Sequence, residues 1–195
     1  MVYQNEVLKN VHQHPTITNP PITAILDRID QKKLDLFNYM KEFKESDLNA
    51  TPRQGGWSAF QICHHLMLSE FQSLAYVKKK LSYNPKLKPA NMATKMRQKL
   101  LTTYLSTPMK FKAPESVGTQ ALPYESNWES VEIEWANVRK ELRAFLSVLP
   151  EEMFEKEVYK HPFAGRLSLE GMLVFFEGHF DRHVKQIKKT LRRVE

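Results

Sequence analysis

His179 and His183 stand four residues apart in the long amphipathic segment from Phe175 to Val194. Residues at this spacing on an α-helix are only ~40° apart around its axis, so both imidazoles project to one side, about one turn apart. The apolar stripe of that segment is Leu169, Met172, Leu173, Phe176, Phe180, Val184, Ile187 and Leu191, with His183 inside it and His179 at its edge. A single histidine on an apolar helix face is usually a hydrogen-bonded core residue, but a pair at i and i+4 is also the spacing of a metal-binding helix. His65 lies far upstream, eight residues after Trp57, in a second amphipathic segment. Three imidazoles on one metal would leave coordination positions open, as in a catalytic site rather than a closed structural one. Spacing within one helix supports the pair; it does not by itself bring His65 to it.

Other chemistry is disfavoured. Phe180 follows His179, where the H-E-x-x-H motif of zinc peptidases places its general-base glutamate, so peptidase action is not expected. Asp181 lies ~200° around the helix from His179, and Cys63 ~200° from His65. They are read as facing away from the metal, Cys63 as a buried thiol. No Ser-His-Asp order, phosphate loop or dinucleotide fingerprint is visible. Tyr76, Tyr104, Tyr124 and Tyr159 could supply a proton or bind substrate, but spacing singles out none of them.

The positioning elements are helical. Ile22, Ile25, Leu26, Ile29, Leu36, Phe37, Met40 and Phe43 mark a first helix from about Thr23 to Lys44, after an extended arm over residues 1–21 rich in proline. Ser58-x-x-Gln61 reads as a capping box that opens a second helix reaching Tyr83. A shorter helix is expected from Asn91 to Leu105, within a long crossover. Ser126-x-x-Glu129 reads as another capping box. Trp128, Val131, Trp135, Val138, Leu142, Phe145 and Leu149 then run in the 3-4 steps of a helix-bundle seam, which Pro150 stops. Residues 156–166 are expected to be extended or turn, and Ser168 to cap the last helix. Four long helices, with the crossover between the second and third, imply an all-α four-helix bundle in a single domain over 1–195, the bundle itself spanning 22–193.

Composition sets wider bounds. The chain has 195 residues, enough to bury a sizeable core, with 42% hydrophobic and 26% charged residues. No apolar run approaches the ~20 residues of a membrane span. The first residues lack the pattern of a signal peptide, and the lone Cys63 excludes an intramolecular disulfide, so a cytoplasmic location is the expectation. The net charge is +7, and residues 71–114 contain no Asp or Glu. Such a stretch attracts anions, but no nucleic-acid recognition motif accompanies it, so no specific nucleic-acid partner is expected.

Several motifs together resemble the DinB/YfiT-like superfamily. They are Gly55-Gly56-Trp57-Ser58, then Cys63-His64-His65-Leu66 and Ser69-Glu70, then His161-Pro162 and Gly165-Arg166-Leu167-Ser168-Leu169, and finally His179-x-x-x-His183-x-x-Gln186-Ile187. The resemblance spans about Ile22 to Leu191. It implies a four-helix bundle of up-down-down-up topology. It further implies a mononuclear divalent metal held by one histidine of the second helix and two of the fourth. Members include thiol-dependent transferases and isomerases that use low-molecular-weight thiols, and metal-dependent hydrolases of unknown substrate; homodimers are common. The family spacing selects His65, eight residues after the tryptophan, as the third ligand. A helical wheel of the bulky residues instead places His64 nearer the apolar stripe, so the two readings disagree. With His65 as ligand, His64 would be a supporting or surface group. Some relatives carry histidine where Glu70 stands, which makes Glu70 a candidate to orient a ligand imidazole.

The expected ligand set is therefore His65, His179 and His183. Imidazoles suit zinc, nickel or iron, and spacing does not choose among them. The expected function is a metal-dependent enzyme that activates a small thiol, for transfer, or water, for hydrolysis. The alternative is a non-catalytic bundle with structural or absent metal.

Overall fold

The computed structural model of the chain describes residues 17–107, 109 and 114–192. Among these, six α-helices and one two-stranded hairpin follow in order: α1 (Pro20–Met40), α2 (Glu45–Asn49), α3 (Ala59–Ser82), α4 (Met92–Ser106), α5 (Trp128–Ser147), β1 (Tyr159–His161), β2 (Gly165–Leu167) and α6 (Leu169–Leu191). Short 3-10 turns occupy Glu115–Val117, Thr119–Ala121 and Glu151–Glu155.

Helix α1 begins earlier than expected. Pro20 and Pro21 fill its first positions, where a helix needs no internal N–H, and Asn19 Oδ1 accepts the Ile22 amide at 3.1 Å. Proline therefore starts this helix instead of excluding it. Of the expected arm, residues 1–16 lie outside the described residues, as do 193–195 at the other end. α1 also stops at Met40, short of Lys44, and α2 forms a separate turn beyond it.

The Ser58–Gln61 capping box is present. Ser58 Oγ accepts the Gln61 amide at 3.2 Å, and Gln61 Oε1 accepts the Ser58 amide at 3.0 Å. The expected box at Ser126 is not. Asn127 caps α5 instead, accepting the Ser130 amide at 2.9 Å. Ser126 is held elsewhere: Asn49 Oδ1 accepts its amide, Asn49 Nδ2 donates to its carbonyl, and its hydroxyl meets His64.

Helix α6 is the central element, in contact with α1, α3 and α4, while α3 also packs on α5. The buried face of α5 is Val131, Trp135, Arg139, Leu142, Arg143 and Leu146. The expected seam is thus rotated: Val138, Phe145 and Leu149 are only partly buried, and two arginines take interior positions. The apolar core falls into two clusters. One contains Leu26, Ile29, Leu74, Val77, Leu142 and Phe176; the other contains Leu36, Phe60, Leu66, Trp135, Phe180 and Ile187. On three helices the break between clusters coincides with a charged residue, namely Asp30 on α1, Glu70 on α3 and Arg139 on α5.

The expected nonhelical segment 156–166 is the hairpin. Tyr159 pairs with Leu167 and His161 with Gly165. Gly165 has φ of 78°, a left-handed conformation that costs glycine little and lets the turn close so tightly. Strand alternation buries Tyr159 and His161 and exposes Lys160.

Candidate metal centre

Helices α3 and α6 bring His65, His179 and His183 together, with one ligating atom of each lying within 4.8 Å of the others. His179 Nε2 is 3.2 Å from His65 Nε2 and 3.0 Å from His183 Nε2. The other nitrogens face outward. His65 Nδ1 donates to the Val117 carbonyl at 2.7 Å, and His183 Nδ1 donates to Gln186 Oε1 at 2.8 Å. A neutral imidazole carries one N–H, so these bonds leave both Nε2 atoms as bare lone pairs aimed at His179. A single proton on His179 Nε2 can satisfy only one of them. A cation satisfies all three, and tetrahedral zinc ligands at ~2.0–2.1 Å lie about 3.3 Å apart, close to these separations. The donor set therefore fits a divalent ion.

Burial disfavours the charged form of all three rings, and the neutral form is the one that ligates. His65 is pushed below the ordinary histidine value by desolvation, partly offset by its bond to Val117. Desolvation takes His183 down to about 3, with His65 adding repulsion. His179 falls well below the usual range, first through burial and then through His183, His65 and His161. Aromatic rings cover the imidazole faces. Phe175 stacks on His179 at 5.0 Å and 18°, and Trp57 lies 4.8 Å from His65, its indole N–H donating to Thr119 at 2.9 Å.

The two adjacent histidines of α3 are placed differently. His65 joins the cluster. His64 is buried but apart, its Nε2 2.7 Å from Ser126 Oγ. Glu70 does not orient an imidazole. Arg139 grips both its oxygens at 2.6 Å, and Trp135 donates to it at 3.2 Å. Asp181 faces away as expected, bound to Lys32 at 2.8 Å. Cys63 is fully buried, its thiol pushed up to about 12 by desolvation. Among the tyrosines, Tyr76 and Tyr124 are exposed, whereas Tyr159 is buried against Ser73.

Sequence reasoning gave no role to Gln186, Val117, Phe175 or His161. Gln186 carried a readable signal, since i+3 on a helix is the next neighbour of His183. Val117 acts through its backbone carbonyl, which leaves no trace in residue type.

A mostly helical protein with three converging imidazoles is what fold and geometry define. The chain belongs to the DinB superfamily, which it matches over residues 28–187. It is 25% identical over 166 residues to the "Uncharacterized protein YuaE" of Bacillus subtilis, covering 85% of this chain and 96% of that protein. It is 23% identical over 180 residues to a protein of Oceanobacillus iheyensis named "Putative metal-dependent hydrolase", covering 91% of this chain and 90% of the relative. No solved structure matches it significantly. No helix among the described residues is long and apolar enough to cross a membrane.

Proposed function

We propose that His65, His179 and His183 hold one divalent ion, zinc, nickel or iron, and that the chain is a metal-dependent enzyme acting on a small molecule. The carrying observation is the convergence of three Nε2 atoms, two of them stripped of protons by the Val117 and Gln186 bonds. The name of the Oceanobacillus relative supports hydrolysis; transfer to a low-molecular-weight thiol would use the same site. In this reading the four long helices α1, α3, α5 and α6 form a four-helix bundle of up-down-down-up order, with α4 carried in the crossover.

A divalent ion in this position supplies Lewis acidity toward water, a thiol or a carbonyl oxygen. The protein's own part is positional. Val117 and Gln186 fix ring orientation and tautomer, which sharpens ligand basicity. Phe175 and Trp57 shield the imidazole faces from solvent. The ligand cluster contains no carboxylate, so the ion's charge stays uncompensated there and favours electron-rich or anionic substrate groups.

The test is the metal content of protein purified without a polyhistidine tag. One equivalent is expected in the wild type, with loss in His65→Ala, His179→Ala and His183→Ala. Ester hydrolysis and thiol transfer are then screened; activity should vanish on chelation and return with metal. Equal metal content in the wild type and all three variants would refute the reading.

A further inference from the structure

His161 lies one aromatic ring away from His179, yet nothing so far uses it. Its ring packs edge-on against Phe175 at 4.5 Å, and Phe175 in turn stacks on His179. The ring is close enough for its charged form to repel that of His179. Its Nδ1 accepts two backbone amides, Phe163 at 3.2 Å and Ala164 at 3.1 Å. Amides only donate, so Nδ1 is the bare nitrogen and the proton sits on Nε2. Among the described residues, no hydrogen-bond acceptor meets that Nε2–H. Nor is it fully buried: among the described residues, the fully buried side-chain polar atoms without partners are those of Gln98. A ring 6% exposed, among Tyr159, Phe163 and Phe175, thus carries one unsatisfied donor that is not fully buried.

The turn does not explain that donor. Holding two amides at a turn needs only a side-chain oxygen, as Asn, Asp or Ser provide. The rest of the imidazole adds a polar N–H to aromatic surroundings, where water or a ligand has to serve as its partner. Tyr159, two residues earlier on the same strand face, shows the closed alternative: its hydroxyl accepts from Ser73 Oγ at 3.0 Å.

We propose that His161 contacts substrate, presenting its Nε2–H to an anionic oxygen of carboxylate type on the small molecule bound at the three-histidine centre. The proposal rests on the metal reading above. The sign of the local field supports an anion: the ligand cluster holds no acid, and the Arg182 charge bears on both His179 and His183.

Two substitutions separate the roles of the two nitrogens. His161→Asn keeps an oxygen near the Nδ1 position for the turn but cannot reach where Nε2 was. His161→Gln reaches the Nε2 position with an N–H but gives up the turn acceptor. Acetate is titrated into the full chain loaded with cobalt(II), followed by visible absorption, with cobalt stoichiometry and thermal midpoint measured alongside. In His161→Asn, acetate affinity should fall about tenfold or more, as for loss of a hydrogen bond to a charged group, while stoichiometry and midpoint stay as in wild type. In His161→Gln, acetate binding should survive within about threefold while the midpoint falls. Wild-type acetate affinity in the Asn variant, or equal loss in both variants, would overturn the donor role. Failure of the wild type to hold cobalt would instead defeat the metal reading and this inference with it.

Discussion

Among the described residues, an ion-pair cluster and a histidine cluster, each partly or wholly buried, are built on opposite principles. One joins Glu70 to Arg139, Arg139 to Asp30, and Arg143 to Asp30 and Asp27, at distances from 2.6 to 3.0 Å. Each charge there faces an opposite charge, and the Arg139 guanidinium grips both oxygens of Glu70 in bidentate fashion. The other is His65, His179 and His183, in which two lone pairs converge on a third nitrogen that can offer a proton to only one of them. The first cluster is complete, and its role is to fix α1, α3 and α5 in register where the apolar core divides. The second leaves a lone pair unsatisfied, which is the basis for the proposed metal. Polar groups inside a protein that satisfy one another point to architecture; those that converge unsatisfied point to a ligand.

The largest expected effect breaks the complete cluster. Arg139→Met leaves Glu70 buried without its partner and should cost ~3–5 kcal/mol in urea denaturation. A loss below ~1 kcal/mol would show that solvent reaches Glu70 and that the cluster is not closed. The second test fills and empties the other cluster. Zinc at a hundredfold excess over its dissociation constant should stabilise the wild type by about 2.7 kcal/mol, measured as a shift in denaturation midpoint that chelator reverses. His183→Ala should show no such shift, whereas Arg139→Met, if folded, should keep it.

A pH series sharpens the contrast in metal-free protein. Burial takes His161 down to about 4 and His183 to about 3. Their folded pKa values lie below those of the unfolded chain, so the unfolded state binds more protons as pH falls below ~6.5. Stability should therefore be full above that pH and decline from ~6.5 toward 4, by up to ~1.4 kcal/mol per pH unit for each such histidine. A midpoint flat from pH 7 to 4.5 would show that these rings are already solvated. The smallest effects are expected just outside the imidazole cluster. Asp181→Ala removes a half-exposed ion pair with Lys32 and should change stability by less than ~1 kcal/mol, with metal content unchanged. His64→Ala should also retain metal, and loss of metal there would reverse the assignment of His65.

The i, i+4 pair, the Ser58 capping box and the apolar stripes of the long helices were legible in the sequence because each is governed by local helix geometry. So was the outward-facing Asp181, by the same angular arithmetic. The DinB resemblance added His65, which no local rule could attach to a pair more than a hundred residues away. Tertiary structure decided what depends on partners distant in the chain. It set His64 against Ser126, took Glu70 for Arg139, and rotated α5 so that two arginines lie inside. A charge is placed inside only when its counter-charge arrives from another element, and residue type alone does not announce that pairing. His161 belongs to the same class: its dipeptide was visible, but the two amides that leave its proton on Nε2 meet it only once the hairpin has closed.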